Sequence, residues 1–130
     1  MKKAYICPHC KAVLNPNVKI IFVVDDGKHR GLILLSARPG DYRLIVDPNF
    51  PLVKGEKATF HCPVCDASLT SRVNENFVEI QLDHGGIEPS TVEFSRVFGE
   101  QATFILDGTE MTAFGEDADD FGDVNFFGSL

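Results

Sequence analysis

The chain has no tryptophan, two tyrosines and two methionines among its 130 residues, and its apolar stretches are all short. None approaches the roughly 20 residues a membrane-crossing helix needs, which excludes such a helix. The basic start Met1-Lys2-Lys3 leads straight into Cys7-Pro8-His9-Cys10, where a secretory leader would need its apolar segment. A soluble, cytoplasmic protein is therefore expected. No segment longer than about a turn carries a capped 3.6-residue apolar stripe, so helices are not expected either. No glycine loop is built to cradle phosphate, Gly85-Gly86 being a turn, and no Ser/His/Asp or Cys/His nucleophile arrangement can be identified. His29 and His84 fall in turn-like segments, while His9 and His61 adjoin cysteines. These absences point to a non-enzyme with no evident small-molecule substrate.

Basic residues are scarce after residue 60. Residues 1–60 carry ten Lys or Arg against five Asp or Glu, whereas residues 61–130 carry only Arg72 and Arg96 against fourteen acidic residues. The overall charge is −7, which disfavours non-specific attachment to nucleic acid or an anionic membrane. Lys2, Lys3, Lys11, Lys28 and Arg30 form a local basic set, although Lys28-His29-Arg30 reads most simply as a solvated hairpin tip. With 44% hydrophobic and 24% charged residues, the chain has the composition of one globular domain rather than of a disordered segment.

What is present is cysteine in a definite pattern. All four fall in two pairs, Cys7-Pro8-His9-Cys10 and Cys62-Pro63-Val64-Cys65. A two-residue gap lets the backbone curl so that both sulfurs of a pair face one ion. Four thiolates in a closed tetrahedron select zinc or iron over hard cations and leave no open position for substrate. One zinc per chain held by Cys7, Cys10, Cys62 and Cys65 is expected, with iron as the alternative. Lys11 and the backbone around each pair should support the sulfurs. Cys-Pro-His-Cys also resembles the active-site sequence of thioredoxin-fold thiol oxidases. That fold needs a strand before the motif and a long helix after it, and here Asn15-Pro16-Asn17 stops any helix after about a turn.

The chain also repeats itself. At an offset of 55, Tyr5, Cys7, Pro8, Cys10, Ala12 and Leu14 fall on Phe60, Cys62, Pro63, Cys65, Ala67 and Leu69. Val18, Phe22, Val23 and Gly31 then fall on Val73, Phe77, Val78 and Gly86. At an offset of 44, the segment 55–60 matches 99–104 as Gly-Glu-x-Ala-Thr-Phe, so each half is expected to run as knuckle, hairpin and then this strand, the first half carrying about eleven extra residues. Two knuckle-plus-hairpin halves, about 1–58 and 59–114, are expected to face each other across one metal ion. Strands are expected over 19–24, 31–35 and 41–46, around the alternating Val78, Ile80 and Leu82, and over 91–98 and 102–106. Asp107-Gly108 should close a hairpin onto 109–114.

At the two cysteine turns the chain resembles the zinc-ribbon group, in which paired Cys-Pro-x-Cys turns on β-hairpins hold one zinc. The whole chain resembles small bacterial proteins of unassigned function. The resemblance implies a mostly-β, ribbon-derived domain over 1–114 and a metal with a folding role. Many ribbon turns carry glycine after the second cysteine, and here those positions are Lys11 and Asp66. Rubredoxin-like electron transfer, which uses the same ligands with iron, and a nucleic-acid-binding ribbon are the alternatives. The absence of tryptophan and of those glycines weighs against rubredoxin.

Residues 115–130 form a tail with five acidic residues, no basic ones, and Phe121, Phe126 and Phe127. Such a segment suits docking on a basic, apolar groove. The groove can belong to a protein partner, to a second copy, or to the basic N-terminal half of the same chain. The expectation is a protein-interaction or regulatory module.

Overall fold

The structure, a computed structural model, describes residues 4–85, 88–121 and 126. It is mostly β, with 42% strand and 3% helix, and its two sheets are antiparallel throughout. The strands are β1 (Ala4–Ile6), β2 (Ile20–Asp25), β3 (Arg30–Leu35), β4 (Leu44–Val46) and β5 (Thr59–His61). They continue as β6 (Phe77–Asp83), β7 (Ser90–Ser95), β8 (Thr103–Asp107) and β9 (Glu110–Phe114). One sheet has the order β1-β6-β7-β8-β9 and the other β4-β3-β2-β5. The longer strands lie where β-branched and apolar residues cluster. The strands expected over 41–46 and 91–98 are shorter, at 44–46 and 90–95. β1 was not foreseen, because three residues are too few to show a period.

The halves exchange strands. β1, which leads into the first cysteine pair, is hydrogen-bonded to β6 of the second half, with Tyr5 opposite Leu82. β5, which leads into the second pair, is hydrogen-bonded to β2 of the first half, with Phe60 opposite Val24. After each knuckle the chain turns back along its own strand: Leu14 N donates to Tyr5 O and Leu69 N to Phe60 O, at 2.7 and 2.8 Å. Leu14 O and Leu69 O then accept from Ile21 N and Glu79 N, both at 2.8 Å.

These bonds give the true correspondence between halves. Leu14 answers Leu69, as the sequence match has it, but Ile21 answers Glu79, so the second half carries three more residues before its hairpin. Phe22 therefore corresponds to Ile80 and not to Phe77. The two Gly-Glu-x-Ala-Thr-Phe segments are not equivalent strands either, since one leads into β5 and the other into β8. Both use glycine at positive φ in a turn, Gly55 at 92° and Gly99 at 88°, followed by a buried alanine. They share a local solution to a turn-then-strand problem.

The inner faces of the two sheets share one core. Phe22 of β2 and Phe60 of β5 meet Phe94 of β7, with ring centroids 5.5–5.7 Å apart in tilted and edge-to-face arrangements. The outer face of the five-stranded sheet holds a second, smaller cluster around Phe77 and Phe104. The tail covers it. Phe121 meets Phe77 edge-on at 5.0 Å, and Phe126 lies 5.0 Å from Phe77 and 4.7 Å from Phe104. Gly115 starts the tail at a φ of 102°, where a Cβ would come within 2.2 Å of Gln101 O, so only glycine fits the bend. The described tail residues thus lay their rings on the sheet built mainly from the acidic second half, with Tyr42 of the first half beside the bend at Gly115.

On that same outer face Glu79 and Glu93 stand directly opposite each other. Arg72 forks onto Glu79, its Nη2 2.8 Å from Oε2. Glu93 is fully buried, and neither of its oxygens has a hydrogen-bond partner within reach among the described residues. Burial pushes its carboxyl up to about 8, with the facing Glu79 adding to the rise and Arg72 opposing it. A raised native value means that folding takes up a proton at Glu93 above the ordinary carboxylate range. The stability of the neutral form is full at acid pH and is lost as pH rises through about 8. In urea unfolding from about pH 6 to about pH 9, the parent should lose stability with rising pH, and Glu93→Gln should lose clearly less.

Candidate metal centre

Each knuckle follows an edge strand, β1 in one sheet and β5 in the other. Both have the same backbone. Lys11 N and Asp66 N donate to the carbonyls of Cys7 and Cys62, at 3.0 and 2.9 Å. Cys7 N and Cys62 N donate to Ala12 O and Ala67 O, both at 3.0 Å. The residue after each pair takes the left-handed conformation, Lys11 at φ 66° and Asp66 at φ 63°. These are the two positions where ribbon turns often have glycine, so the turn is made without it. The Lys11 ammonium reaches Gln81 Oε1 at 3.1 Å, and Asp66 pairs with Arg30. Each of these side chains thus reaches a strand of the other half of the chain, Gln81 in β6 or Arg30 in β3.

The four sulfurs meet. All lie within 4.8 Å of one another. Across the knuckles, Cys7 Sγ is 3.8 Å from Cys65 Sγ, and Cys10 Sγ is 3.7 Å from Cys62 Sγ. A tetrahedral ion with metal–sulfur bonds of about 2.3 Å sets its sulfurs about 3.8 Å apart, so the four thiols fit one such ion. The separations are far beyond a disulfide bond of about 2.05 Å, and all four cysteines are free. Cys7 and Cys62 are buried while Cys10 and Cys65 are exposed, which places the centre at the surface with its inner half under protein.

Backbone amides point at the sulfurs as they would at thiolates. His9 N and Cys10 N approach Cys7 Sγ at 3.3 and 3.5 Å, and Val64 N and Cys65 N approach Cys62 Sγ at the same distances. The Ala12 amide holds the Cys10 thiol below its ordinary value. Burial pushes Cys62 up to about 12. At Cys65 the Ala67 amide pulls down, but burial and the Cys10 and Cys7 thiols leave it raised. Four thiols this close cannot all ionise by themselves, and a dication makes that possible while displacing their protons.

Sequence reasoning had all four of these residues, because paired spacing is visible in a linear chain. It did not find Arg30 or Gln81, whose contacts with the knuckle residues depend on the exchange of strands. Of the three tail residues expected to bind a partner, Phe121 is half-buried and Phe126 retains 3% exposure against the chain's own sheet, and Phe127 lies outside the described residues.

The left-handed position yields a prediction. Any side chain with a Cβ, the lysine included, pays about 1–2 kcal/mol in this conformation and a β-branched one pays more, whereas glycine accepts it at a small entropic cost. In urea unfolding of the metal-loaded protein, Lys11→Ile should be less stable than the parent, and Lys11→Gly should stay within about 1 kcal/mol of it.

Compared with known proteins, the chain matches no family model, no curated protein and no solved structure. The centre is identified by the geometry of its four sulfurs: it is a four-cysteine cluster able to hold a metal ion.

Proposed function

We propose that the protein is a non-enzymatic, zinc-binding interaction module whose metal is structural. The observation that carries the metal reading is the pair of cross-knuckle sulfur distances, 3.7 and 3.8 Å, between residues more than fifty positions apart in sequence. Four thiolates complete a tetrahedral shell and leave no position for a substrate, which supports a role in folding rather than catalysis. The ion would clamp the knuckle after β1 to the knuckle after β5, closing the exchange of strands. Zinc is the reading favoured here, and the ribbon-like knuckles agree with it.

The interaction reading rests on the outer face of the four-stranded sheet. By register, Ile21, Leu34 and Ile45 form one aliphatic row across β2, β3 and β4, and Val23 and Leu32 form the next. Ile45 is 56% exposed and Leu32 49%, with the other three half-buried. On the other sheet the outer Phe77 and Phe104 are covered by Phe121 and Phe126. An uncovered aliphatic sheet face of this kind is the sort of surface that a second protein chain, or a second copy, covers.

Metal content and thiol reactivity test the first part. Protein purified without added metal should carry one zinc per chain, with four thiols protected until chelation, and Cys10→Ser/Cys65→Ser should lose both the metal and much of the stability. Iron in place of zinc would favour electron transfer. Metal-free protein with a reversible disulfide would overturn the reading. For the second part, sedimentation or light scattering of the parent, alone and with candidate partners, should show association that Leu32→Lys/Ile45→Lys abolishes without changing metal content. Association unaffected by that pair would place the interface elsewhere.

A further inference from the structure

A cavity of about 400 Å³ lies between the two sheets, separate from the metal centre: none of the four cysteines lines it. One wall is Ile20 and Ile33 of the four-stranded sheet, the other Ile80, Val92 and Phe94 of the five-stranded sheet. A volume in this range, mostly apolar with a few polar groups at the edge, is that of a small-molecule site. At about 30 Å³ per water-sized group it takes roughly a dozen non-hydrogen atoms.

The cavity exists because its cover is held by hydrogen bonds instead of packing. The β3–β4 loop passes over it, and both tyrosines of the chain fasten that loop. Tyr5 Oη donates to Ala37 O at 2.7 Å. Tyr42, on the loop itself, bonds Thr103 Oγ1 at 2.8 Å and Phe114 O at 3.1 Å. The loop is thus tied to the opposite sheet without filling the space beneath.

The mouth is marked by the exposed lining residues Arg38 and Lys54, with Leu44 and Leu52 beside them. Its two carboxylates are already engaged. Asp41 is forked by Arg43, which holds it well below the usual carboxylate range, and Glu100 accepts from the Ser95 hydroxyl. The Arg38 guanidinium and Lys54 ammonium have no hydrogen-bond or ion-pair partner among the described residues. The stem of Lys54 lies across Gly99, where an added Cβ would stand 2.6 Å from its Cγ, so the lysine is laid along the rim. The site therefore offers an apolar interior and two uncommitted cations at its entrance.

We propose that this cavity binds a medium-chain fatty carboxylate, its chain between the sheets and its carboxylate at Arg38 and Lys54. Decanoate, with ten carbons and two oxygens, matches the volume. The test is calorimetric titration of the full-length, metal-loaded protein with hexanoate, octanoate and decanoate, and with decanol as the uncharged counterpart. One decanoate should bind per chain, with affinity rising about fourfold per methylene along the acid series. Decanol should bind about tenfold more weakly or worse, since it lacks the charge-assisted contacts. Arg38→Gln/Lys54→Gln, at exposed positions that leave folding intact, should bring decanoate down to the level of decanol. Val92→Phe should block every chain length by filling the interior; should that variant not fold, the exposed pair still decides the matter. Equal affinity for decanoate and decanol, or decanoate binding untouched by the double variant, overturns the assignment of an anionic ligand. Absence of binding by the folded protein, or binding of several molecules without dependence on chain length, overturns the site itself.

Discussion

Each cysteine knuckle is carried by a strand that belongs, by its hydrogen bonds, to the other half of the chain, and most of the architecture follows from that exchange. β1 completes the sheet built on β6, and β5 completes the sheet built on β2. Both knuckles are thereby delivered to the place where the sheets abut, and four sulfurs converge that would otherwise be far apart. A metal ion held there would close the exchange by binding both knuckles at once. The same constraint accounts for the left-handed Lys11 and Asp66, because each turn must bring the chain back along its own strand to reach the facing hairpin.

The two sheets share an inner core but differ outside. On the five-stranded sheet the tail lays Phe121 and Phe126 over Phe77 and Phe104. Beside them Glu93 is shut away from solvent, with Glu79 facing it. A buried carboxyl without a hydrogen bond is costly unless neutral, and its raised proton affinity is the physical expression of that cost. On the four-stranded sheet the outer aliphatic rows have no comparable cover among the described residues, and Phe121 and Phe126 are already in use.

The end of the sandwich under the β3–β4 loop is the third distinctive region. Elsewhere aromatic rings fill the space between the sheets, with Phe22, Phe60 and Phe94 in mutual contact. Under the loop, tyrosine hydroxyls span the gap in their place, leaving room between apolar walls. A chain with only two tyrosines commits both to that loop.

Sequence alone determined the β class, the four candidate ligands and the existence of a repeat, since all three are local or periodic signals. Alternation in β2 and β6, turn residues at Asp107-Gly108 and the Cys-Pro-x-Cys spacing are each legible within a few residues. The correspondence of Phe22 with Ile80 was not legible, because a three-residue insertion shifts the register while chance identities such as Phe22 with Phe77 preserve an apparent match. Which half each knuckle strand joins, the burial of Glu93, and the packing of the tail on the acidic half were decided only by tertiary structure. So was the cavity between Ile33 and Val92. All of these depend on which residues from distant segments face one another across and between sheets, and pairing at long range leaves no periodic mark in the chain itself.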